Sequence, residues 1–138
     1  MQISILSNLK LDAAKEFEIL DPLTGKRSQT LNPKTKKPED SPAFISLYYM
    51  GSKKMKKVQL ELQRKIIELA KDKKEAPTEK EVEDMLFFEM IASYRGLKDD
   101  KGKEVEFNEE NTKLLLEAPY IRHLIEEVSS KMGNFSEK

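Results

Sequence analysis

The sequence predicts a single α+β domain, predominantly helical, in which an N-terminal antiparallel β-hairpin precedes about four helices and a small second hairpin. Three observations carry this expectation. The 138 residues suit one domain with a modest core. Residues 1 to 51 contain two β-branched and aromatic runs punctuated by Pro and Gly, the marks of strands and turns. From residue 52 to 138 the apolar positions recur at spacings of three and four, the period of an amphipathic helix.

Ile3, Ile5, Leu9 and Leu11 alternate loosely ahead of Phe17 and Ile19, so Lys15 to Leu20 reads as a strand running into the turn Asp21-Pro22-Leu23-Thr24-Gly25. Residues 25 to 41 form a long lysine-rich loop with little to bury and room for a β-excursion at Arg27 to Leu31. Ala43 to Met50, between Pro42 and Gly51, reads as the second strand of the hairpin. Ser52 stands where an N-cap belongs, and Met55, Val58, Leu62, Ile66 and Leu69 make one stripe of a helix reaching Asp72. Thr78 and Glu81 are spaced as a capping box, opening a helix through Phe87, Phe88, Ile91 and Tyr94 that should end at Gly96. Val105 and Phe107 alternate with glutamates after the Lys98 to Lys103 turn, predicting the second hairpin. Asn108 caps a third helix, and Pro119 restarts the chain into a last one ending at Gly133. Leu114, Leu115, Ile121, Leu124, Ile125 and Val128 are its expected core positions.

Lys+Arg and Asp+Glu number 25 each, which argues against a globally basic nucleic-acid binder. The charge is nevertheless divided: residues 1 to 74 hold 16 basic against 9 acidic side chains, and residues 75 to 138 hold 9 against 16. Such a two-ended molecule favours a partner that meets one pole, or self-association. With no Cys and only His123, disulfides, thiolate metal sites and Cys nucleophiles are excluded and no cofactor is expected. No segment approaches the roughly 18 to 20 apolar residues of a membrane span, and residues 1 to 15 lack signal-peptide features, so a soluble cytoplasmic protein is expected.

Enzymatic chemistry finds no foothold, because no nucleophile, base and orienting group come together in the pattern. His123 reads as an ordinary surface or half-buried histidine. The pairs Asp99/Asp100, Glu109/Glu110 and Glu126/Glu127 read as solvated or dipole-matching carboxylates rather than acid–base pairs. All five glycines are isolated, so no phosphate-cradling loop exists. Lys53, Lys54, Lys56 and Lys57 are different, because four lysines at a helix N-terminus oppose its dipole. Together with Lys34, Lys36 and Lys37 they suit an acidic partner, this protein's own acidic half or, less well without interleaved aromatics, phosphate. The stripe Met55, Val58, Leu62, Ile66 and Leu69, with Phe87 and Phe88, is the candidate partner surface, since a stripe left open would be a groove or seam for another chain.

The C-terminal third also carries a specific succession: Met85-Leu86-Phe87-Phe88, Ser93-Tyr94-Arg95-Gly96-Leu97, Asp99 to Asn111, Leu114-Leu115, Pro119, Ile121, Ile125 and Asn134-Phe135. Upstream stand Phe17 to Lys26, with its Pro-x-Thr-Gly turn, and Ser41-Pro42-Ala43-Phe44-Ile45. Together these resemble the tail assembly chaperones of long-tailed bacteriophages, over most of residues 15 to 135. The chain departs from that family in having Tyr94 where Trp is frequent, and in its lysine-rich loop. The resemblance implies a non-enzymatic protein of the host cell cytoplasm that binds the tape measure protein, keeps it soluble, recruits major tail tube protein around it and is absent from the finished virion. The alternatives are a structural tail or head-completion protein and a small nucleic-acid-binding phage regulator.

Overall fold

Alternation along Lys15–Ile19 (β1) and Ala43–Leu47 (β4) builds a sheet with one buried face, and that face organises the molecule. The computed structural model of the protein describes residues 11–32, 34–72 and 74–135, so the alternation at Ile3, Ile5 and Leu9 lies outside the described residues. β1 and β4 run antiparallel, with Phe17 opposite Ile45 and Ile19 opposite Ala43. Between them the lysine-rich loop folds back on itself as a small hairpin, β2 (Gln29–Leu31) against β3 (Pro38–Asp40), whose residues are all exposed. Asn32 closes its tip by accepting the Lys34 and Thr35 amides.

Four α-helices follow among the described residues. α1 is Lys53–Lys71, with the Ser52 hydroxyl accepting the Met55 amide as its cap. α2 is Glu79–Met90, where the Thr78 hydroxyl accepts the Glu81 amide while the Glu81 carboxylate meets that hydroxyl rather than the cap amide. α3 is Glu109–Leu115, capped by Asn108 onto the Asn111 amide at 2.8 Å, and α4 is Pro119–Ser129 with proline in its first turn. Among the described residues helix accounts for 43% and strand for 20%, so the class is α+β and the helical excess is modest.

The main departure from the sequence expectation is at Ile91. α2 does not continue to Gly96 but stops at Met90, and Ile91–Arg95 is a strand, β5, on the far edge of β4. The sheet is therefore three-stranded in the order β1-β4-β5. Tyr94 pairs with Ile45 and Ile91 with Leu47, and a register shift at Ser46/Leu47 inserts one extra residue, Ala92, into β5. That bulge puts the two core-facing residues of β5 three apart instead of two, which in the sequence imitates a helix. The expected second hairpin is also smaller than anticipated, reduced to one bridge between Lys98 and Glu104 and the Val105 amide donating to the Leu97 carbonyl.

The core joins both halves of the chain: Ile19, Ile45 and Leu47 meet Phe87, Met90, Leu116, Ile121 and Ile125. Two residues expected on the partner surface belong to it instead, since Met55 is 0% and Phe87 5% exposed. Met55 lies one turn inside the capped end of α1, where the helix leaves the sheet, and Phe87 lies one turn before the α2-to-β5 switch. Leu114, expected inside, is 58% exposed while Leu116 is buried. Consecutive helical residues point about 100° apart, so three adjacent leucines cannot share one inward face. Past the end of α4 a 3₁₀ turn, Met132–Phe135, brings Phe135 into contact with Phe17 and Tyr49, with ring centroids 5.5 and 5.6 Å apart.

Gly96 ends β5 with φ +78°, and a Cβ built there would lie 2.3 Å from the Pro42 carbonyl oxygen. Gly102 has the same φ with nothing within 4 Å. Gly102→Ala should therefore cost only its left-handed strain, about 1 to 2 kcal/mol, and Gly96→Ala at least about 2 kcal/mol more because backbone must move. Urea unfolding of the two variants measures the difference, and equal losses would show that the strand end yields.

Candidate functional site

Beyond Met55 the apolar stripe of α1 is only half-buried: Val58 still packs against the core, and Leu62, Ile66 and Leu69 continue past it along α2 without being closed over. Between α1, α2 and α3 this leaves an open cleft of about 780 Å³ floored by Val58, Leu62, Met85, Phe88 and Leu116. A smaller cavity of about 230 Å³ continues it along α1, past Ile66 and Leu69 to Ala76 and Pro77 of the linker. The two share Leu62, Lys65 and Met85, so they form one groove. Val58 to Leu69 spans about 16 Å of helix axis, the length of about three turns of a second helix.

The rim is charged and of mixed sign. Glu61 and Lys65 stand on α1, Lys80, Asp84 and Glu89 on α2, and Glu109, Lys113 and Glu117 on or beside α3. Glu109 and Lys113 pair at 3.0 Å, one turn apart. Arg122 of α4 reaches Asp84 and, at 3.2 Å, Glu83, with its guanidinium over the Phe87 ring at 5.0 Å. Its pKa is held above the ordinary arginine value, first by the hydrogen bond to Asp84. Arg122 thereby fastens α4 to the back of the groove wall. An apolar floor with a charged, ion-paired rim suits an amphipathic helix laid along it.

The four lysines at the start of α1 do not act as a set. Lys53 lies 3.9 Å from Asp12, whose other oxygen accepts the Lys53 amide and supplements the Ser52 cap. Lys54 turns inward, donating to the Glu89 carbonyl at 2.9 Å and sitting 4.1 Å above the Tyr48 ring. Lys53, its side chain 91% exposed, points outward with Lys56 and Lys57, and only Lys54 is drawn in. Of the lysines considered for a phosphate cradle, Lys54 is thereby withdrawn. On the open sheet face Arg95 crosses β4 above Phe44 to hold Glu16 through two hydrogen bonds of 2.7 and 2.9 Å. That contact keeps the Glu16 carboxyl below, and Arg95 above, its ordinary value. Arg27 pairs likewise with Glu18.

Of the residues singled out from sequence, the structure thus brings Val58, Leu62, Ile66, Leu69 and Phe88 together and places Met55 and Phe87 behind them. Sequence reasoning missed Leu116, Lys65 and Lys113, and the anchoring role of Arg122; nothing local marks them, because they converge from separate helices. His123 is on the surface, its side chain 78% exposed and 3.5 Å from Glu127. Among the described residues no group of acidic or imidazole side chains is placed to hold a metal ion, and no helix is long and apolar enough to cross a membrane. If the floor is surface and Met55 is core, Met55→Ala should cost about 2 to 5 kcal/mol in urea unfolding and Leu62→Ala under half as much; equal losses would mean that Leu62 is as well packed as Met55. Comparison of the chain with protein-family models, curated proteins and solved structures finds no match.

Proposed function

We propose that this protein is a tail assembly chaperone of a long-tailed bacteriophage, a non-enzymatic protein that covers apolar helical surface on the tape measure protein and keeps it soluble while tail tube subunits assemble. The observation that carries the reading is the open groove of about 780 Å³ along α1, floored by apolar side chains and large enough for a partner helix. The residues behind the family resemblance serve structure rather than chemistry, as a chaperone requires. Gly96 fits closely under Pro42, Asn108 caps α3, Pro119 opens α4 and Phe135 fills the core. Met85, unbranched and polarisable, lies in the groove floor, where it can adapt to varied apolar side chains. The protein acts in the host cytoplasm and leaves before the virion is complete.

Co-expression with the tape measure protein tests this. The wild-type chain should hold that protein in the soluble fraction, and Leu62→Asp/Ile66→Asp should lose that effect while its own circular dichroism is unchanged. A double variant that still solubilises the tape measure protein would sink the groove. Stoichiometric recovery of the protein from purified virions would instead make it a structural tail component.

A further inference from the structure

The face of α1 opposite the groove carries a second pattern. Counted at about 100° per residue from Leu60, the side chains of Lys56, Lys57, Arg64, Ile67 and Lys71 fall within about 60° of one line, whereas Val58, Leu62 and Leu69 point the other way. All six are exposed, Leu60 at 56% and Ile67 at 55%. No acidic side chain lies in this sector; Glu61 and Glu68 stand at its edge. Among the described residues none of the four cations has a carboxylate within ion-pair distance. The result is two large aliphatic side chains, two helical turns apart, set in unpaired positive charge.

We infer that this outer face of α1 is a docking surface for an acidic amphipathic helix of a partner protein, separate from the groove and independent of the chaperone reading. Charge and shape both narrow the occupant. Another copy's α1 would bring like charges together at close range. The chain's own acidic half is partly committed, because Glu83 and Asp84 hold Arg122, Glu89 approaches Lys54 and Glu109 holds Lys113. A phosphate backbone would engage the cations but offer nothing to Leu60 and Ile67, and the face carries no aromatic ring for a base to stack on. A helix with aliphatic residues at i and i+7, flanked by Asp and Glu, matches every element: its apolar seam covers Leu60 and Ile67, and its carboxylates reach the lysines and Arg64.

The probe is a fluorescent, helix-stapled peptide of about four turns bearing Leu at i, i+3 and i+7 and Glu elsewhere, read by anisotropy against the full chain. Binding should weaken with rising salt and fall at least about tenfold for Leu60→Ser/Ile67→Ser and for Arg64→Glu/Lys71→Glu. All four substituted residues are exposed, so the circular dichroism should not change. The inference is overturned if a peptide of the same composition with its leucines scattered binds equally well, or if the serine pair leaves affinity unchanged. Tighter capture of duplex DNA or of phosphatidylglycerol vesicles, lost in Arg64→Glu/Lys71→Glu, would overturn it in favour of nucleic acid or membrane. Peptide-free self-association abolished by Leu60→Ser/Ile67→Ser would overturn it in favour of a second copy.

Discussion

The pairing of β4 with β5 is the constraint on which the rest depends. β4 buries Ala43, Ile45 and Leu47 almost completely, and a strand so placed needs both of its edges hydrogen-bonded. β1 supplies one edge. The other is supplied by a strand that begins directly at the end of a helix, with no loop between Met90 and Ile91. The Tyr48 amide donates to the Met90 carbonyl, so the last turn of α2 is fixed to the sheet by backbone as well as by side chains. Farther along, the Met50 amide donates to the Ser129 carbonyl and ties the end of α4 to the same segment. α2 is thereby held at its C-terminus, and the wall of the groove inherits that rigidity.

α1 is held quite differently. Its first turn is fastened by Ser52, Asp12 and the fully buried Met55, and its remaining stripe rests half-buried on α2. The groove runs along this half-buried length of the helix. The charged contacts around it are surface pairs whose separate contributions to stability are small. Their role is geometric: Arg122 keeps α4 against α2, and Lys54 keeps the first turns of α1 against Glu89 and Tyr48.

Much of this was legible in the sequence because cap chemistry and periodicity are local. Ser52, Thr78, Asn108 and Pro119 placed four helix starts, and the alternation around Phe17 and Ile45 placed two strands. What failed was non-local. Ile91 and Tyr94 face the core three residues apart only because β5 bulges at Ala92, and that bulge exists only once β4 lies beside it. Met55 shares its stripe with Leu62, and nothing in the spacing says that the core ends between them. The cleft residues Leu116 and Lys113 come from a helix far along the chain, so their convergence with α1 is a property of packing alone. The Arg95–Glu16 pair lying across Phe44 has the same origin.

A helix of 19 residues that fully buries only Met55 draws little from the core for its length. Its lysines at the N-terminus oppose the dipole, and its cationic outer face repels itself. Each of these features costs the isolated protein stability, and each would be relieved by a partner: apolar surface on the inner side covers the stripe, and carboxylates on the outer side neutralise the charge. Selection for the stability of the free chain alone would favour Glu among those lysines and polar residues at Leu60 and Ile67. Their presence is what the proposed roles of α1 require, with the sheet and α2 as the frame that presents it.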